Sequence, residues 1–441
     1  MKKQKLDRRK FLRYTSLSIL GATGVATRGL ASGRVAEDEA MPRIREYRTF
    51  GRTGFRVSDI SSGNPSNEAV LRALLDSGVN LIDTGEVYAN GNSERLVGRV
   101  IKGRDRSKLF INTKLYTEKA YPSKEKVLKR ANDSLERLGT DYVDCMMIHS
   151  AENTQILKDK AFHAAMKKLK KEGKVRHVGV SCHGSNWAVD TEEGLDTILL
   201  EAVNDGRFDV ILLAYNFANA DRAEKVLEAC DKKNIATIIM KSNPVYIYGV
   251  MEERVAQLTR AGKKVDKYTQ QFYDRYKVMN EHARKFFTAY DVGDGTEIRD
   301  AATKFVLSDH RAHTTVWDFR SFEDVRHMLS LSGEKLTKKD GELLGGYQKY
   351  LGPFTCRIGC NDCEAACPHH IPVNRILRYN YYFTVKGQEK RAMTKFARLQ
   401  GKKPVEVCLD CEGYCEKACG YGVSVRLLLA EAQKNMDLSV S

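Results

Sequence analysis

Eight of the eleven cysteines lie between positions 356 and 419, in two runs: Cys356-x3-Cys360-x2-Cys363-x3-Cys367-Pro368 and Cys408-x2-Cys411-x3-Cys415-x3-Cys419. Thiols crowded at such intervals either bind metal or pair with one another. Iron–sulfur clusters, structural zinc and disulfides all use such a set. The second run repeats the first about 52 residues later, and each is followed by a helix-like stretch containing valine, at 371–373 and 422–425. Cys145, Cys182 and Cys230 stand apart in apolar segments, where a thiol is a small packing group; Cys182 is the one near a candidate site. A second chemical set is dispersed. Asp83, Lys114, His149, Ser181, Tyr215 and Lys241 each end an apolar run, and Tyr88 follows Asp83 by five residues. A carboxylate, an ammonium, an imidazole and a phenol can together move a proton to or from a substrate oxygen.

The elements that must position these residues alternate. Short apolar runs at 57–62, 80–84, 109–114, 142–149, 175–182, 209–215, 235–241 and 314–319 are separated by helix-period segments such as 68–76, 124–138, 160–171 and 222–232. Continuous apolar runs suit strands buried on both faces, and alternation with helices implies parallel βαβ units. Eight units predict an α/β fold, a closed (β/α)8 TIM barrel over 45–335, whose chemistry sits at the C-terminal ends of the strands. A charged stretch at 245–300 reads as a helical insertion between the seventh and eighth strands. Residues 336–353 read as a linker, and 354–430 as a small α-rich domain that holds both cysteine runs.

The segments Asp83-Thr84-Gly85-Glu86-Val87-Tyr88, Phe110-Ile111-Asn112-Thr113-Lys114, Met146-Met147-Ile148-His149 and Gly173-Lys174-Val175-Arg176-His177-Val178-Gly179-Val180-Ser181 stand in order at four strand ends. Together with the opening Tyr47-Arg48-Thr49-Phe50-Gly51-Arg52-Thr53-Gly54 they resemble the aldo-keto reductase family over roughly 45–330. The resemblance implies a catalytic tetrad. Tyr88 would protonate the carbonyl oxygen, Lys114 would lower the phenol's pKa, Asp83 would hold Lys114, and His149 would orient the substrate. It also implies a nicotinamide dinucleotide, NADP(H), held near Ser181, Cys182, Lys241, Arg320 and Ser321. Here the chain departs from the family. The fifth strand ends Ser181-Cys182-His183 instead of Ser-Asn, Leu212 stands where a glutamine is frequent, and the seventh strand ends Met240-Lys241 instead of in a tyrosine. The last strand runs Trp317-Asp318-Phe319-Arg320-Ser321, which puts a carboxylate beside the expected phosphate site; Arg320, Ser321 and the following helix N-terminus are the anion donors there.

The cysteine runs resemble bacterial ferredoxin-type domains that bind two [4Fe–4S] clusters. That pattern implies crossed ligation, with Cys356, Cys360, Cys363 and Cys419 on one cluster and Cys408, Cys411, Cys415 and Cys367 on the other. Both spacings depart from the ferredoxin standard, and Gly420 replaces the second proline; zinc and disulfides remain the alternatives. Residues 374–400 read as helical, with Ile376, Tyr379, Tyr382, Phe383 and Phe396 as core aromatics and aliphatics packed between the two runs.

The N-terminus, Asp7-Arg8-Arg9-Lys10-Phe11-Leu12-Arg13 followed by a mild apolar stretch at 14–26, resembles a twin-arginine signal over 1–36. It implies passage through the twin-arginine export machinery in the folded state and a periplasmic or other extracytoplasmic location. The apolar run is too short for a transmembrane anchor. The net charge of +16 comes with no basic stripe interleaved with aromatics and no nucleic-acid motif, so nucleic acid is not an expected partner.

Two functions fit these parts. The first is an exported oxidoreductase that reduces a carbonyl or oxidises an alcohol, with Tyr88 as general acid/base and clusters that are structural or exchange electrons with a protein partner. The second is an iron–sulfur electron-transfer protein whose barrel binds a ligand or partner without hydride chemistry.

Overall fold

The computed structural model describes residues 41–116, 120–184, 193–243, 278, 281–293, 295–384, 386–400, 405–408 and 411–437. The twin-arginine segment, and the part of the 245–300 insertion before 278, lie outside them. The chain opens with an antiparallel hairpin, β1 (Tyr47–Thr49) and β2 (Arg56–Ser58). Eight parallel strands follow: β3 (Ile60–Gly63), β4 (Leu81–Asp83), β5 (Phe110–Tyr116), β6 (Val143–His149), β7 (Val175–Cys182), β8 (Val210–Ala214), β9 (Ala236–Met240) and β10 (Thr314–Trp317). They close in the order β10-β3-β4-β5-β6-β7-β8-β9. The apolar runs are buried on both faces, as a closed barrel wrapped in helices requires.

The outer helices are α1 (Glu68–Asp76), α2 (Asn92–Ile101), α3 (Lys124–Leu138), α4 (Lys160–Lys171), α5 (Leu195–Asp205), α6 (Ala220–Lys232), α7 (Thr296–Ser308) and α8 (Phe322–Ser330). Local chemistry sets their ends. Asn67 caps α1, Ser123 caps α3, and Gly139 closes α3 in the left-handed conformation. Phe50, Leu81, Phe110, Cys145, Met147, Leu212 and Ile238 fill the barrel interior. A larger apolar layer between strands and helices holds Cys182 and Cys230.

The run expected as a first strand over 57–62 is divided. Asp59 turns out of line to accept hydrogen bonds from Ser332 Oγ at 2.8 Å and Gly333 N–H at 2.7 Å, so the residues before it join the hairpin. That hairpin plugs the N-terminal end of the barrel. Gly51 has φ +49°, and a Cβ there would lie 2.5 Å from Ala236 N at the start of β9.

The segment expected as a linker is α9 (Lys338–Leu351), a helix with a Thr337–Asp340 capping box. Its Leu343, Leu344 and Tyr347 share a core with Ile298 and Ala301 of α7, and with Phe286 from the insertion. The reason is its apolar stripe, which needs a partner surface.

Beyond it, α10 (Val373–Thr384), α11 (Glu389–Gln400) and α12 (Val425–Met436) gather the cysteine loops around Ile376, Tyr379, Phe396 and Leu429. The sequence repeat is a structural repeat. Glu364 accepts from Asn374 N–H at 2.8 Å and Glu416 from Arg426 N–H at 2.9 Å. Cys367 Sγ accepts from Ile371 N–H at 3.4 Å and Cys419 Sγ from Val423 N–H at 3.5 Å.

Candidate functional site

Asp83 ends β4 in register with Asn112 of β5, and Lys114 lies two residues further along β5 on the same side of the strand. The Lys114 ammonium is buried and reaches Asp83 Oδ2 at 2.7 Å, the Thr84 carbonyl at 2.6 Å and Tyr88 Oη at 3.4 Å. Asn112 donates to the other Asp83 oxygen. The loop carrying Tyr88 is pinned from both sides. Glu86 accepts from Tyr116 N–H at 2.8 Å and is clasped by Arg130, and Ala89 and Asn90 turn the chain in the left-handed region. His149, at the end of β6, meets the Tyr88 ring edge-on at 5.4 Å. Its buried Nδ1 has no hydrogen-bond partner among the described residues.

Burial pushes the Asp83 carboxyl up, while Asp83 holds the Lys114 ammonium above its ordinary range against the opposing effect of burial. A buried amine 2.7 Å from a carboxylate is an ion pair, and Lys114 is its cation. Lys114 draws the Tyr88 phenol down, as anticipated, but burial outweighs it and the net shift is upward. Tyr88 is therefore a phenol that keeps its proton at neutral pH, a donor rather than a phenolate. Burial, then Lys114 and His183, pushes His149 well below the usual imidazole range, so it is neutral.

The expected dinucleotide residues are arranged differently. Ser181 Oγ accepts from Ser150 N–H at 2.8 Å and ties β7 to the loop after β6. Cys182 is fully buried in the layer between strands and helices, with its thiol pushed up to about 12 by burial, so it is a packing residue rather than a cofactor contact. At the start of α8, Ser321 Oγ accepts from Asp324 N–H at 3.0 Å, and Asp324 accepts from Arg320 N–H at 2.9 Å and Ser321 N–H at 3.0 Å. Arg320 itself pairs with Asp318 at 3.1 Å. The donors expected for a phosphate are thus occupied by the chain's own carboxylates. A cavity lined by Tyr47, Phe55, Asn80, Arg104 and Leu109 lies at the opposite, N-terminal end of the strands and is not part of this site.

The cysteine region sits on the C-terminal face of the barrel. Arg222 at the start of α6 pairs with Asp362, Tyr421 Oη donates to Asp221 at 2.6 Å, and Leu195 N–H donates to the Gly359 carbonyl at 3.1 Å. The backbones of Gly184 and Gly359 touch where neither could carry a Cβ. Lys241, in the left-handed region just past β9 with φ +58°, donates from Nζ to Tyr382 Oη of α10 at 3.0 Å. Tyr382 is therefore not part of the core between the cysteine runs, as the helical pattern suggested. It is buried at the barrel mouth, bonded to Lys241. Ile376, Tyr379 and Phe396 do form that core, with Phe383 packed against it.

Several of the clustered thiols lie close enough to act on one another. Cys356 responds to Cys360 and Cys419, and Cys363 to Cys356, Cys360 and also Cys415. Cys408 responds to Cys367, Cys415 and Cys411. All eleven cysteines are free thiols, and among the described residues no three His, Cys, Asp or Glu side chains converge on a single-ion site.

The family model described as "Aldo/keto reductase family" matches residues 50–345, the whole barrel and the start of α9. The chain belongs to the aldo/keto reductase family. It is an aldo-keto-reductase-type oxidoreductase. Aldo-keto reductase YhdN of Bacillus subtilis is 24% identical over 326 residues, a match covering 67% of this chain and 91% of that protein. Methylglyoxal reductase YeaE of Escherichia coli is 35% identical over 147 residues, 33% of this chain and 46% of that enzyme. Among solved structures, an aldo-keto reductase from Bacillus halodurans in its holo form aligns with a TM-score of 0.49 at 20% identity, over 69% of this chain and 96% of that one. The family match ends at 345, before the first of the clustered cysteines.

Tyr382 and Arg378 are the mouth residues that sequence reasoning missed. No local signal marks them, because their positions on α10 become meaningful only when that helix lies across the strand ends.

Proposed function

We propose that the protein is an exported aldo-keto reductase that protonates a carbonyl oxygen through Tyr88, or deprotonates an alcohol in reverse, and that carries two [4Fe–4S] clusters beside that site. The observation that carries the reading is the Lys114 ammonium, bonded at once to Asp83, Thr84 and Tyr88. A protonated phenol next to a fixed cation gives up its proton to an oxygen as negative charge develops there, because the cation stabilises the phenolate left behind. Neutral His149 donates a hydrogen bond to the same oxygen and orients it. The substrate is a small carbonyl compound or alcohol.

The donor set of the cysteine region fits clusters. Its eight thiols stand in two neighbouring runs, and Cys367, Cys411 and Cys419 each receive a backbone N–H donor, the kind of bond that tunes cluster potentials. Nicotinamide dinucleotide, when bound, supplies hydride to family members, but the phosphate donors at Arg320 and Ser321 do not fit it as they stand, since Asp324 and Asp318 occupy them. This observation supports the second reading, an iron–sulfur electron-transfer protein whose barrel binds a ligand or partner without hydride chemistry. Export through the twin-arginine route rests on Arg8-Arg9-Lys10-Phe11-Leu12 and fits a protein that must fold around its metal first.

The test is anaerobic. Iron and sulfide content is measured with visible absorption, and NADPH is titrated into the same sample. About eight irons per chain with saturable NADPH binding, and carbonyl reduction lost in Tyr88→Phe, supports the enzyme. Eight irons without NADPH binding or turnover supports electron transfer, and zinc in place of iron removes the redox role of the cysteine region. Cell fractionation tests export.

A further inference from the structure

The carboxylates at the barrel mouth are already matched. Asp83 pairs with Lys114 and Asp318 with Arg320. Among the described residues, Lys386 lies near Asp318, whereas Lys241 and Arg378 at the same mouth have no carboxylate partner. Lys241 Nζ has Tyr382 Oη as its partner and no carboxylate among the described residues. Arg378 is 8% exposed, rests its guanidinium over the Tyr381 ring at 4.9 Å, and has no ion pair or hydrogen-bonded acceptor among the described residues. Arg378 and Tyr382 are four residues apart on α10 and so share a face. The Lys241–Tyr382 contact turns that face toward the ends of β7 and β9. Burial, then the nearby Lys241 and Arg378 charges, pushes His183, just past β7, down to about 3. His183 is a neutral neighbour that cannot take up their charge. Arg378 also faces the Cys356 thiol, but a mouth with cations and no spare carboxylate favours an entering anion.

We propose that Lys241, Arg378 and the Tyr382 hydroxyl form an anion subsite at the barrel mouth, built half from the barrel and half from the cysteine region, and that the substrate is a carbonyl compound bearing an anionic group. This rests on the reading of Tyr88 and His149 as the carbonyl end of the site. The cysteine region then has a second role, because α10 completes the binding site and the barrel alone lacks half of its substrate contacts. Arg supplies a planar pair of donors suited to a carboxylate or phosphate, and Lys a point charge beside it.

Binding is read by calorimetry on the full chain, purified anaerobically. The probes are pyruvate, acetoacetate and succinic semialdehyde, each against its neutral amide, which covers three carbonyl-to-carboxylate spacings. At least one acid should bind about 10- to 100-fold more tightly than its amide. Arg378→Gln should erase that ratio and Arg378→Lys should restore much of it; Lys241→Met is the second variant should Arg378→Gln not fold. Equal binding of acids and amides by the unaltered protein overturns the proposal. So does an Arg378→Gln protein that keeps the ratio but shifts the cluster's visible or electron-paramagnetic spectrum, because Arg378 also faces the Cys356 thiol. NADPH is titrated in parallel: an Arg378→Gln protein that loses NADPH affinity and keeps the acid preference would assign the subsite to a dinucleotide phosphate instead. Because binding is measured and not turnover, failure of Tyr88 as the acid leaves this ratio intact, and the two ideas fail separately.

Discussion

Replacing Asp83 with asparagine should cost stability in a way that depends on pH with a defined sign. Lys114 is 1% exposed, and Asp83 is its only charged partner at hydrogen-bond distance among the described residues. Leaving a buried charge without its counter-ion costs about 3–5 kcal/mol. The chain has an alternative, which is to fold with Lys114 neutral. From an unfolded pKa of about 10.4, losing that proton at pH 7 costs about 4.6 kcal/mol. The two routes have similar magnitudes, so Asp83→Asn should lose about 3–5 kcal/mol at pH 7. In the unaltered protein Asp83 holds the folded pKa of Lys114 above its ordinary value, so from neutral pH up to about pH 10.4 the Lys114 contribution is present, and it fades only above that. In the variant the folded pKa is depressed. The unfolded state then binds one more proton, and stability rises by about 1.4 kcal/mol per pH unit toward pH 10. The gap between the two proteins should therefore narrow from pH 7 to pH 9. Urea unfolding followed by circular dichroism at pH 7, 8 and 9 measures it. A loss under about 1 kcal/mol at pH 7, or a gap that stays constant with pH, would refute the buried ion pair as the organiser of this site.

Three further outcomes are expected. Cys356→Ser/Cys419→Ser should remove about four of about eight irons, whereas Cys356→Ser/Cys367→Ser should disturb both clusters; equal iron loss in the two double variants would end the crossed assignment. Gly359→Ala should loosen the cysteine region from the barrel by about 1–3 kcal/mol, because Gly359 has φ +75° and a Cβ there would lie 2.6 Å from Leu195 Cδ2. Limited proteolysis between α9 and α10 reads this as faster cleavage, and an unchanged rate counts against the contact. Burial depresses His149, His183 (to about 3) and His313 (to about 4), so each contributes stability that is present above about pH 6.5 and lost as pH falls below it, by up to about 1.4 kcal/mol per unit. Urea midpoints should drop from pH 7 to pH 5, and a flat profile would contradict these buried neutral imidazoles.

The barrel was readable because its determinants are local. Continuous apolar runs, helix-period segments and cap residues such as Asn67, Ser123 and Gly139 act over a few residues, and eight repetitions leave one closed architecture. The tetrad was readable for the same reason, since Asp83, Lys114 and His149 each end a strand and a barrel brings strand ends together. The direction of the Tyr88 shift was not. It depends on how much water the folded chain removes from the phenol, and burial outweighed the Lys114 charge that the motif displays. Asp324 was equally hidden: it reads as a helix residue, and only the fold shows its carboxylate occupying the α8 N-terminus.

By itself the sequence determined the (β/α)8 fold, the family, the acid–base set and the doubled cysteine pattern, all carried by short-range periodicity and spacing. Only the tertiary structure decided that the cysteine region covers the catalytic end of the barrel, that Tyr382 reaches Lys241, and that Arg378 lies there with no carboxylate partner among the described residues. Lys241 and Tyr382 lie 141 positions apart, and such partners are selected by surface shape and charge that no local window of the chain contains.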